Sequence, residues 1–128
     1  LDGKWTAWYE NGQIKYEVNY KNGKDDGKWT FWYEDGQIMY EKSYNDGKYV
    51  GKHTTWFEDG QIRSETNYNN YGKADGKATA WYENGQKNYE LNYKNGKDDG
   101  KWIFWHADGQ VQRELNYKDG VCVSGDCP

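Results

Sequence analysis

The sequence predicts an all-β protein, an elongated single-layer antiparallel β-meander made of five repeated β-hairpins. Two observations predict this fold. A pattern of 24 or 25 residues recurs five times in the 128-residue chain, and a fixed period in this range is typical of stacked units. Each repeat also contains Asn, Asp and Gly turn signals between β-rich runs, and nothing in the sequence has the pattern of a helix.

The five repeats occupy residues 2–120, and a Cys-containing tail follows at 121–128. The predicted units are 2–25, 26–49, 50–74, 75–98 and 99–122, of which the last runs into the tail. Some columns keep one residue type in every unit, among them a Trp, a Glu and a Tyr column. The Trp column is Trp8, Trp32, Trp56, Trp81 and Trp105. The Glu column is Glu17, Glu41, Glu65, Glu90 and Glu114, and the Tyr column is Tyr20, Tyr44, Tyr68, Tyr93 and Tyr117.

Each repeat is predicted to be one hairpin with a tight turn at its tip. The tip turns are Asn11-Gly12, Asp35-Gly36, Asp59-Gly60, Asn84-Gly85 and Asp108-Gly109. These dipeptides favour tight hairpin turns because they tolerate positive φ. A second, looser turn is predicted at Asn22-Gly23, Asp46-Gly47, Gly72, Asn95-Gly96 and Asp119-Gly120. Five hairpins give about ten antiparallel strands.

Two registers fit the first hairpin. A two-residue type I′ loop gives the pairs Glu10–Gln13, Tyr9–Ile14, Ala7–Tyr16 and Trp5–Val18. It places the following residues opposite the Trp column: Lys15, Met39, Arg63, Asn88 and Gln112. Lys15 on Trp8 and Arg63 on Trp56 would then form cation–π contacts. A three-residue loop with a bulge would slip the register by one and bring Trp8 to Ile14 and Tyr16. The first register is favoured, because it separates apolar from polar side chains more cleanly.

Aromatic residues take the place of an aliphatic core. Only 15 residues are Leu, Ile, Val or Phe, which is typical of disorder, but 24 are aromatic and the net charge is only −4. Tyr and Trp bury large areas while a polar tip still reaches water. We therefore expect an ordered sheet in which rings from neighbouring hairpins cover one face.

The acidic balance limits the partner classes. With a pI near 5.2, the chain is not expected to bind nucleic acid, and binding to an anionic membrane is disfavoured, since both reward clustered Lys and Arg. The recurring lysines are expected to be offset by neighbouring Asp residues such as Asp25, Asp26, Asp98 and Asp99. No apolar stretch is long enough to span a bilayer.

The stretch YEVNYKNGKDDGKWTFWYEDGQ, from Tyr16 to Gln37, resembles the MORN repeat. It contains Tyr-Glu-x-x-aromatic, two x-x-Gly-Lys segments, an aromatic strand and Asp-Gly. The longer unit W-x-x-W-Y-E-N-G-Q is similar to the bacterial YwqK-type variant, which carries an antitoxin label. The resemblance covers residues 2–120. It implies a curved antiparallel sheet used for protein interaction, dimerisation and sometimes membrane attachment, and it implies no catalytic residues.

No catalytic site is predicted. His53 and His106 are the only histidines, and both are expected to pack as flat rings in an aromatic ladder, since catalysis by His needs a positioned partner. A ladder of five Glu residues is not a catalytic carboxylate pair and is interpreted as a solvated polar face. The chain is therefore expected not to be an enzyme and to need no cofactor.

No metal site is predicted either. The loops around Asp25-Asp26-Gly27 and Asp98-Asp99-Gly100 lack the alternating carboxylates and closing Glu of a calcium loop, and turn chemistry accounts for their composition. Zinc would need two ligands besides Cys122 and Cys127. A local disulfide between these two is favoured over free thiols, and an intermolecular bridge or a cap at the array end is the functional alternative.

The Cys pair also bears on localisation. A disulfide favours an oxidising compartment, and the chain begins at Leu1 without Met, as a processed or trimmed product would. An extracellular or cell-surface location is therefore expected.

Three functions remain open. The first is a protein-interaction scaffold whose open edge strands pair head to tail with further copies and so grow a filament. The second is a module that binds a glycan or a phospholipid headgroup on an interaction strip formed by the Trp column, Trp8, Trp32, Trp56, Trp81 and Trp105. The third is an antitoxin that masks a toxin, which rests on the family resemblance alone.

Overall fold

The computed structural model describes residues 2–128 as one open antiparallel sheet. Its strands are β1 (Gly3–Trp8), β2 (Ile14–Lys21), β3 (Lys24–Asp25), β4 (Gly27–Trp32), β5 (Ile38–Asn45), β6 (Lys48–Tyr49), β7 (Gly51–Trp56), β8 (Ile62–Tyr68), β9 (Ala74–Trp81), β10 (Lys87–Lys94), β11 (Lys97–Asp98), β12 (Gly100–Trp105), β13 (Val111–Lys118) and β14 (Val121–Gly125).

The strands follow one another across the sheet in chain order. The path is β1-β2-β4-β5-β7-β8-β9-β10-β12-β13-β14, while the two-residue strands β3, β6 and β11 pair with β2, β5 and β10. The predicted all-β meander of five hairpins is confirmed. The sheet has eleven strand positions and not ten, because the tail contributes β14 at its end. Residues 2–128 form no helix, and so none of the kind that could cross a membrane.

The tip turns are three-residue loops, which differs from the favoured prediction. In the first hairpin the Tyr9 N–H donates to the Gln13 carbonyl, and the Gly12 N–H donates to the Tyr9 carbonyl. Gly12 has a φ of 88°, whereas Asn11 is not among the residues with positive φ. This is the three-residue loop in which a left-handed Gly follows an ordinary turn. The Asn11 Oδ1 accepts the Gln13 N–H and fixes the loop.

The type I′ turns lie at the opposite ends of the strands, in the links between repeats, where looser turns were predicted. Asn22 and Gly23 have φ values of 53° and 77°, and Lys21 pairs directly with Lys24. Asp46, Asn95 and Asp119 repeat this conformation. The turn at Gly72 is the exception: its extra residue gives the longer loop, in which the Asn69 N–H donates to the Lys73 carbonyl.

A β-bulge reconciles the two registers. Trp5 pairs with Val18 and Ala7 with Tyr16, as in the favoured register, but Trp8 pairs with Ile14 because the register shifts between Ala7 and Trp8. The predicted Tyr9–Ile14 and Glu10–Gln13 pairs are therefore wrong. Counting back from the three-residue loop, Trp8 pairs with Ile14, and the next pair would be Ala7 with Lys15. Ala7 pairs with Tyr16 instead, so Lys15 is the one extra residue and forms the bulge.

One face of the sheet carries the packed side chains. The most buried apolar residues are Val18, Ala78, Ala80, Leu91 and Leu115. Stacked or tilted rings cover them in two blocks. The first block contains Tyr16, Tyr20, Trp29, Phe31, Tyr40, Tyr44, Tyr49, His53 and Tyr68. The second contains Tyr89, Tyr93, Trp102, Phe104 and Tyr117. Small side chains at Ala78 and Ala80 separate them, and burial raises the pKa of Tyr68 and Tyr93 on either side.

Candidate functional site

The Trp column lies on the face opposite the packed rings. Directly opposed residues share a face, so Trp8 joins Ile14, and it also shares the face of Thr6 and Glu17 by strand alternation. The same pairing recurs as Trp32–Ile38, Trp56–Ile62, Trp81–Lys87 and Trp105–Val111. The column thus forms a row of alternating Trp and mostly aliphatic side chains. Trp8 is 61% exposed, and the other four are half-buried.

The predicted cation–π contacts with the Trp column are wrong, because the bulge removes the residues that were to supply them. The Lys15 Nζ lies 5.8 Å from the ring centre of Tyr9, and the Arg63 guanidinium lies 5.6 Å from that of Phe57. The one cation over this column in residues 2–128 is Lys87, 5.8 Å from the Trp105 ring. Lys87 stands where other repeats have Ile or Val, so it interrupts the apolar row.

The Glu column is paired with lysines along the same face. Lys4, Lys28, Lys52, Lys77 and Lys101 lie 3.2 to 3.5 Å from a Glu carboxylate of their own hairpin. The lysines of this row are thus offset by Glu, where the neighbouring Asp residues were expected. Glu90 also accepts a hydrogen bond from Lys87 at 2.7 Å. That bond, together with Lys77, lowers the pKa of Glu90 below its usual value.

Tyrosine and asparagine side chains tie three of the four neighbouring pairs of repeats at the tips. The Tyr9, Tyr33 and Tyr82 hydroxyls donate to the backbone carbonyls of the Trp residues 23 positions later. Asn11 and Asn84 likewise donate to the carbonyls of Glu34 and Ala107. Phe57 occupies the same place in the third repeat and cannot donate. These bonds hold the Trp column of one repeat against the turn of the previous one.

Indole groups make a second tie in the middle of the strands. The Trp29 Nε1–H donates to the Asn19 carbonyl of the preceding repeat, and the Trp102 Nε1–H donates to that of Asn92, both at 2.9 Å. Trp5 is the equivalent residue in the first repeat. Residues 2–128 provide no preceding repeat for it, and its side chain is 49% exposed.

The outer edge of β1 is unpaired within the described chain. Because the Tyr9 N–H points towards Gln13 and amides alternate along a strand, the N–H groups of Lys4, Thr6 and Trp8 point away from β2. Internal repeats use the equivalent positions: Thr30 of β4, which corresponds to Thr6, pairs with Glu17 of the preceding repeat. Within residues 2–128, the β1 edge therefore presents groups of a repeat junction without a partner.

The opposite end of the sheet is covered by the tail. β14 pairs with Leu115 to Lys118 of β13. Beyond it, the Asp126 N–H donates to the Glu114 carbonyl at 2.8 Å, and the Asp126 carboxylate accepts the Glu114 N–H at 2.9 Å. Cys122 and Cys127 are joined in this structure, with their Cα atoms 5.8 Å apart. The two ends of the sheet are thus chemically different.

The family model of the MORN repeat variant matches five consecutive segments of this sheet, at residues 1–22, 25–46, 49–70, 74–95 and 98–119. The chain belongs to the MORN repeat variant family. No curated protein matches it. The count of five MORN repeats in the sequence is thereby confirmed. Repeats of this family generally mediate interactions with proteins or membrane lipids, and the family is generally a non-catalytic scaffold.

The two histidines of this MORN array have different surroundings. His53 is buried among rings, 4.6 Å from the centres of both Tyr49 and Tyr68. Its Nε2 lies 3.1 Å from the Ser43 carbonyl, where Trp29 and Trp102 place their indole nitrogens, and burial lowers its pKa. His106 does not pack in the ladder, because it lies at an exposed tip turn, where its backbone N–H donates to the Gln110 carbonyl.

The Asp residues that raised the question of calcium serve the turns between MORN repeats. The Asp26 carboxylate accepts the Asp46 N–H, and the Asp99 carboxylate accepts the Asp119 N–H, both at 3.2 Å. Each bond connects the residue that follows β3 or β11 to the next type I′ turn. Across residues 2–128, no group of three or more His, Cys, Asp or Glu side chains is placed to hold a metal ion.

Sequence reasoning predicted open edge strands and offered a cap at the array end, but it did not identify the groups that form either end of the MORN sheet. It did not identify the outward amides of β1 or the two bonds between Asp126 and Glu114. Only the repeat spacing could have indicated the outward amides of β1. Trp5 occupies the position of Trp29 and Trp102, each of which follows a second strand of the preceding repeat. The tail resembles no repeat, so its pairing with β13 had no signal in the sequence.

Proposed function

We propose that this MORN repeat chain is a non-catalytic scaffold that binds protein by strand addition to the outer edge of β1. The partner is a strand with the Glu-x-Asn-Tyr pattern found in the second strand of a repeat, as in β2, β8, β10 and β13. A second copy of the chain supplies such a strand in β13, and repeated head-to-tail addition would build a filament, because the contact does not close on itself.

The observation that carries this proposal is the comparison of β1 with the internal junctions. Between β2 and β4, Glu17 pairs with Thr30 and Tyr16 with Phe31, while the Trp29 indole bonds to the Asn19 carbonyl. β1 repeats this arrangement with Thr6, Ala7 and Trp5, and its outward amides have no partner in residues 2–128. An added strand gains main-chain hydrogen bonds along such an edge, and its alternate side chains provide specificity.

A peptide of residues 13–22, QIKYEVNYKN, tests this proposal. Added to the isotope-labelled chain, it should shift the NMR signals of the Lys4, Thr6 and Trp8 amides and of the Trp5 indole. A scrambled peptide of the same composition should not. Shifts confined to other residues, or none up to millimolar peptide, would count against strand addition at β1.

Thr6 offers a matched pair of control variants. Thr6→Pro removes an N–H that points away from β2, so the first hairpin keeps its own ladder, and edge strands tolerate Pro in this position. We expect Thr6→Pro to weaken peptide binding at least about tenfold and Thr6→Val, which keeps the N–H, to change it less than about twofold. Equal binding by both variants would argue against the edge.

Binding of a glycan is the second candidate, favoured by a depression on the packed face. This depression measures about 330 Å³ and is lined by Trp5, Tyr16, Val18, Tyr20, Trp29 and Phe31. Exposed aromatic rings are suited to planar contact with sugars. Titration of Trp fluorescence with oligosaccharides would detect it. Trp5→Ala should abolish the signal if the depression binds, and Trp8→Ala should abolish it if the Trp column binds.

A further inference from the structure

Four of the five Glu residues in the Glu column pair with the next repeat. Glu17, Glu41, Glu65 and Glu90 lie opposite Thr30, Thr54, Thr79 and Ile103 in the adjacent first strands. Each uses backbone groups that point towards the following hairpin. Glu114 is the fifth, and residues 2–128 contain no sixth hairpin to pair with it.

Asp126 takes the place of that missing strand. Its N–H donates to the Glu114 carbonyl, and its own carboxylate accepts the Glu114 N–H. In an internal junction a backbone carbonyl would accept this N–H. Because a side chain does so here, both edge groups of Glu114 are satisfied although the chain does not continue as a strand.

The tail is shaped to leave the sheet at this point. Gly125 has a φ of 86°, and a Cβ atom there would collide with the Glu114 carbonyl oxygen and approach Leu115. Only glycine therefore allows the tail to lie this close to β13. The disulfide between Cys122 and Cys127 closes a short ring around Gly125 and Asp126, which limits how far Asp126 can move from Glu114.

The groups that Asp126 occupies are those that a second copy would need. Thr6 in β1 corresponds to Thr30, the partner of Glu17, so head-to-tail pairing places Thr6 of the incoming copy opposite Glu114. We propose that the tail at 121–128 is an intramolecular plug that competes with the β1 edge of a second copy for Glu114. This rests on the proposed function of the β1 edge and adds its regulation.

Reduction of the disulfide opens the plug. A dithiol transfers two electrons and two protons to the Cys122–Cys127 bond, gives two thiols and becomes a cyclic disulfide itself. The released tail gains conformational freedom that the ring had removed. From the loop-closure entropy of so short a ring, we expect the open tail to become roughly 10- to 50-fold more populated, and association of copies to strengthen by the same factor.

Mass in solution against concentration, measured by light scattering with electron micrographs of the same samples, tests this inference. Three full-length forms are compared: the oxidised chain, Cys122→Ser/Cys127→Ser and Gly125→Val. The last opens the plug by collision and leaves both cysteines in place. Ser124→Ala, a mild change in the same strand, is the matched control. We expect the oxidised chain and Ser124→Ala to stay monomeric where the two opened forms grow into linear assemblies.

Thr6→Pro blocks the β1 edge and should therefore limit assembly to a dimer. The double variant Gly125→Val/Thr6→Pro has an open plug but no competent β1 edge. The oxidised wild-type chain has a closed plug and a competent β1 edge. Each should be monomeric alone. Mixed, they should form a dimer that cannot grow. Assembly that is indifferent to Thr6→Pro would overturn the inference, since the plug would then not compete with β1.

The peptide of residues 13–22 separates the two proposals. If it binds the β1 edge but both opened forms remain monomeric, the plug is wrong and strand addition stands. The plug is also wrong if the oxidised chain assembles as readily as the opened forms through a contact that Thr6→Pro abolishes. If neither the peptide binds nor any form assembles, the proposed function itself fails.

Discussion

The side chains at Trp5, Trp29 and Trp102 occupy the same place in their repeats but have different surroundings. Trp29 and Trp102 donate their indole N–H to the preceding repeat, whereas Trp5 is 49% exposed. His53 and Ala78 stand in the same column, and His53 keeps a polar contact with the preceding Ser43. The side chains in this column therefore differ in size, but Trp29, His53 and Trp102 all make a polar contact with the preceding repeat.

His53 makes the stability of the array depend on pH. Burial lowers its pKa in the folded state, so between that value and the unfolded value near 6.5 the unfolded chain binds more protons. Stability should therefore fall as the pH drops through about 6.5 and level off below the folded pKa. Urea unfolding between pH 7.5 and 5 would measure this.

A variant without the ring nitrogens isolates the effect. His53→Phe should reduce the slope of stability against pH in this range, while His106→Gln, in an exposed tip turn, serves as the control. An unchanged slope in His53→Phe would contradict the assignment.

At the level of elements, the two kinds of turn do different work. The type I′ turns fix the link between repeats, and the three-residue tip loops with their bulges place Trp beside Ile. The tip of one hairpin is then bonded to the Trp carbonyl of the next through a Tyr hydroxyl. The third repeat lacks this bond because Phe57 replaces Tyr.

Phe57→Tyr should strengthen the junction between the third and fourth repeats. The added hydroxyl would donate to the Trp81 carbonyl, as Tyr33 does to Trp56. We expect the free energy of unfolding to rise by about 0.5–1.5 kcal/mol. Tyr33→Phe, the reverse change one repeat earlier, should lower it by a similar amount. A neutral or destabilising Phe57→Tyr would show that the Trp81 carbonyl is out of reach.

The molecule as a whole is a one-dimensional array, in which each hairpin contacts only its neighbours. The stability of such an array is a sum of repeat and interface terms. Damage to one hairpin should therefore be felt mainly by that hairpin and the next. Within residues 2–128, the first and the last hairpin each contact one neighbouring hairpin, whereas the internal hairpins contact two.

Leu115→Ala should show this locality. Leu115 is only 1% exposed in the last hairpin, and removing such a side chain costs about 2–5 kcal/mol. Amide hydrogen exchange should lose protection in β12, β13 and β14, while β4 and β5 keep theirs. Val121→Ala, at a position 62% exposed, should have almost no effect. A uniform loss of protection across the sheet would contradict the array description.

The amino-acid sequence by itself determined the repeat count, the hairpins and the packing of rings from neighbouring hairpins on one face. These follow from local rules: Asn-Gly and Asp-Gly favour turns, and alternation separates two faces. The pairs Trp5–Val18 and Ala7–Tyr16 were predictable for the same reason. The mistake at the tip was local too, since the type I′ turn was assigned to the hairpin tips, whereas it lies in the links between repeats.

Only the tertiary structure decided what happens between repeats and at the ends. Whether Lys15 bulges depends on how the tip loop and the strand body share one ladder, which no single dipeptide specifies. The bonds from Asp126 to Glu114 join residues 12 apart, in a tail without repeat pattern. Such contacts arise because backbone N–H groups at the edge of a sheet are left without a ladder partner and bond to another acceptor, and only the assembled sheet shows which N–H groups those are.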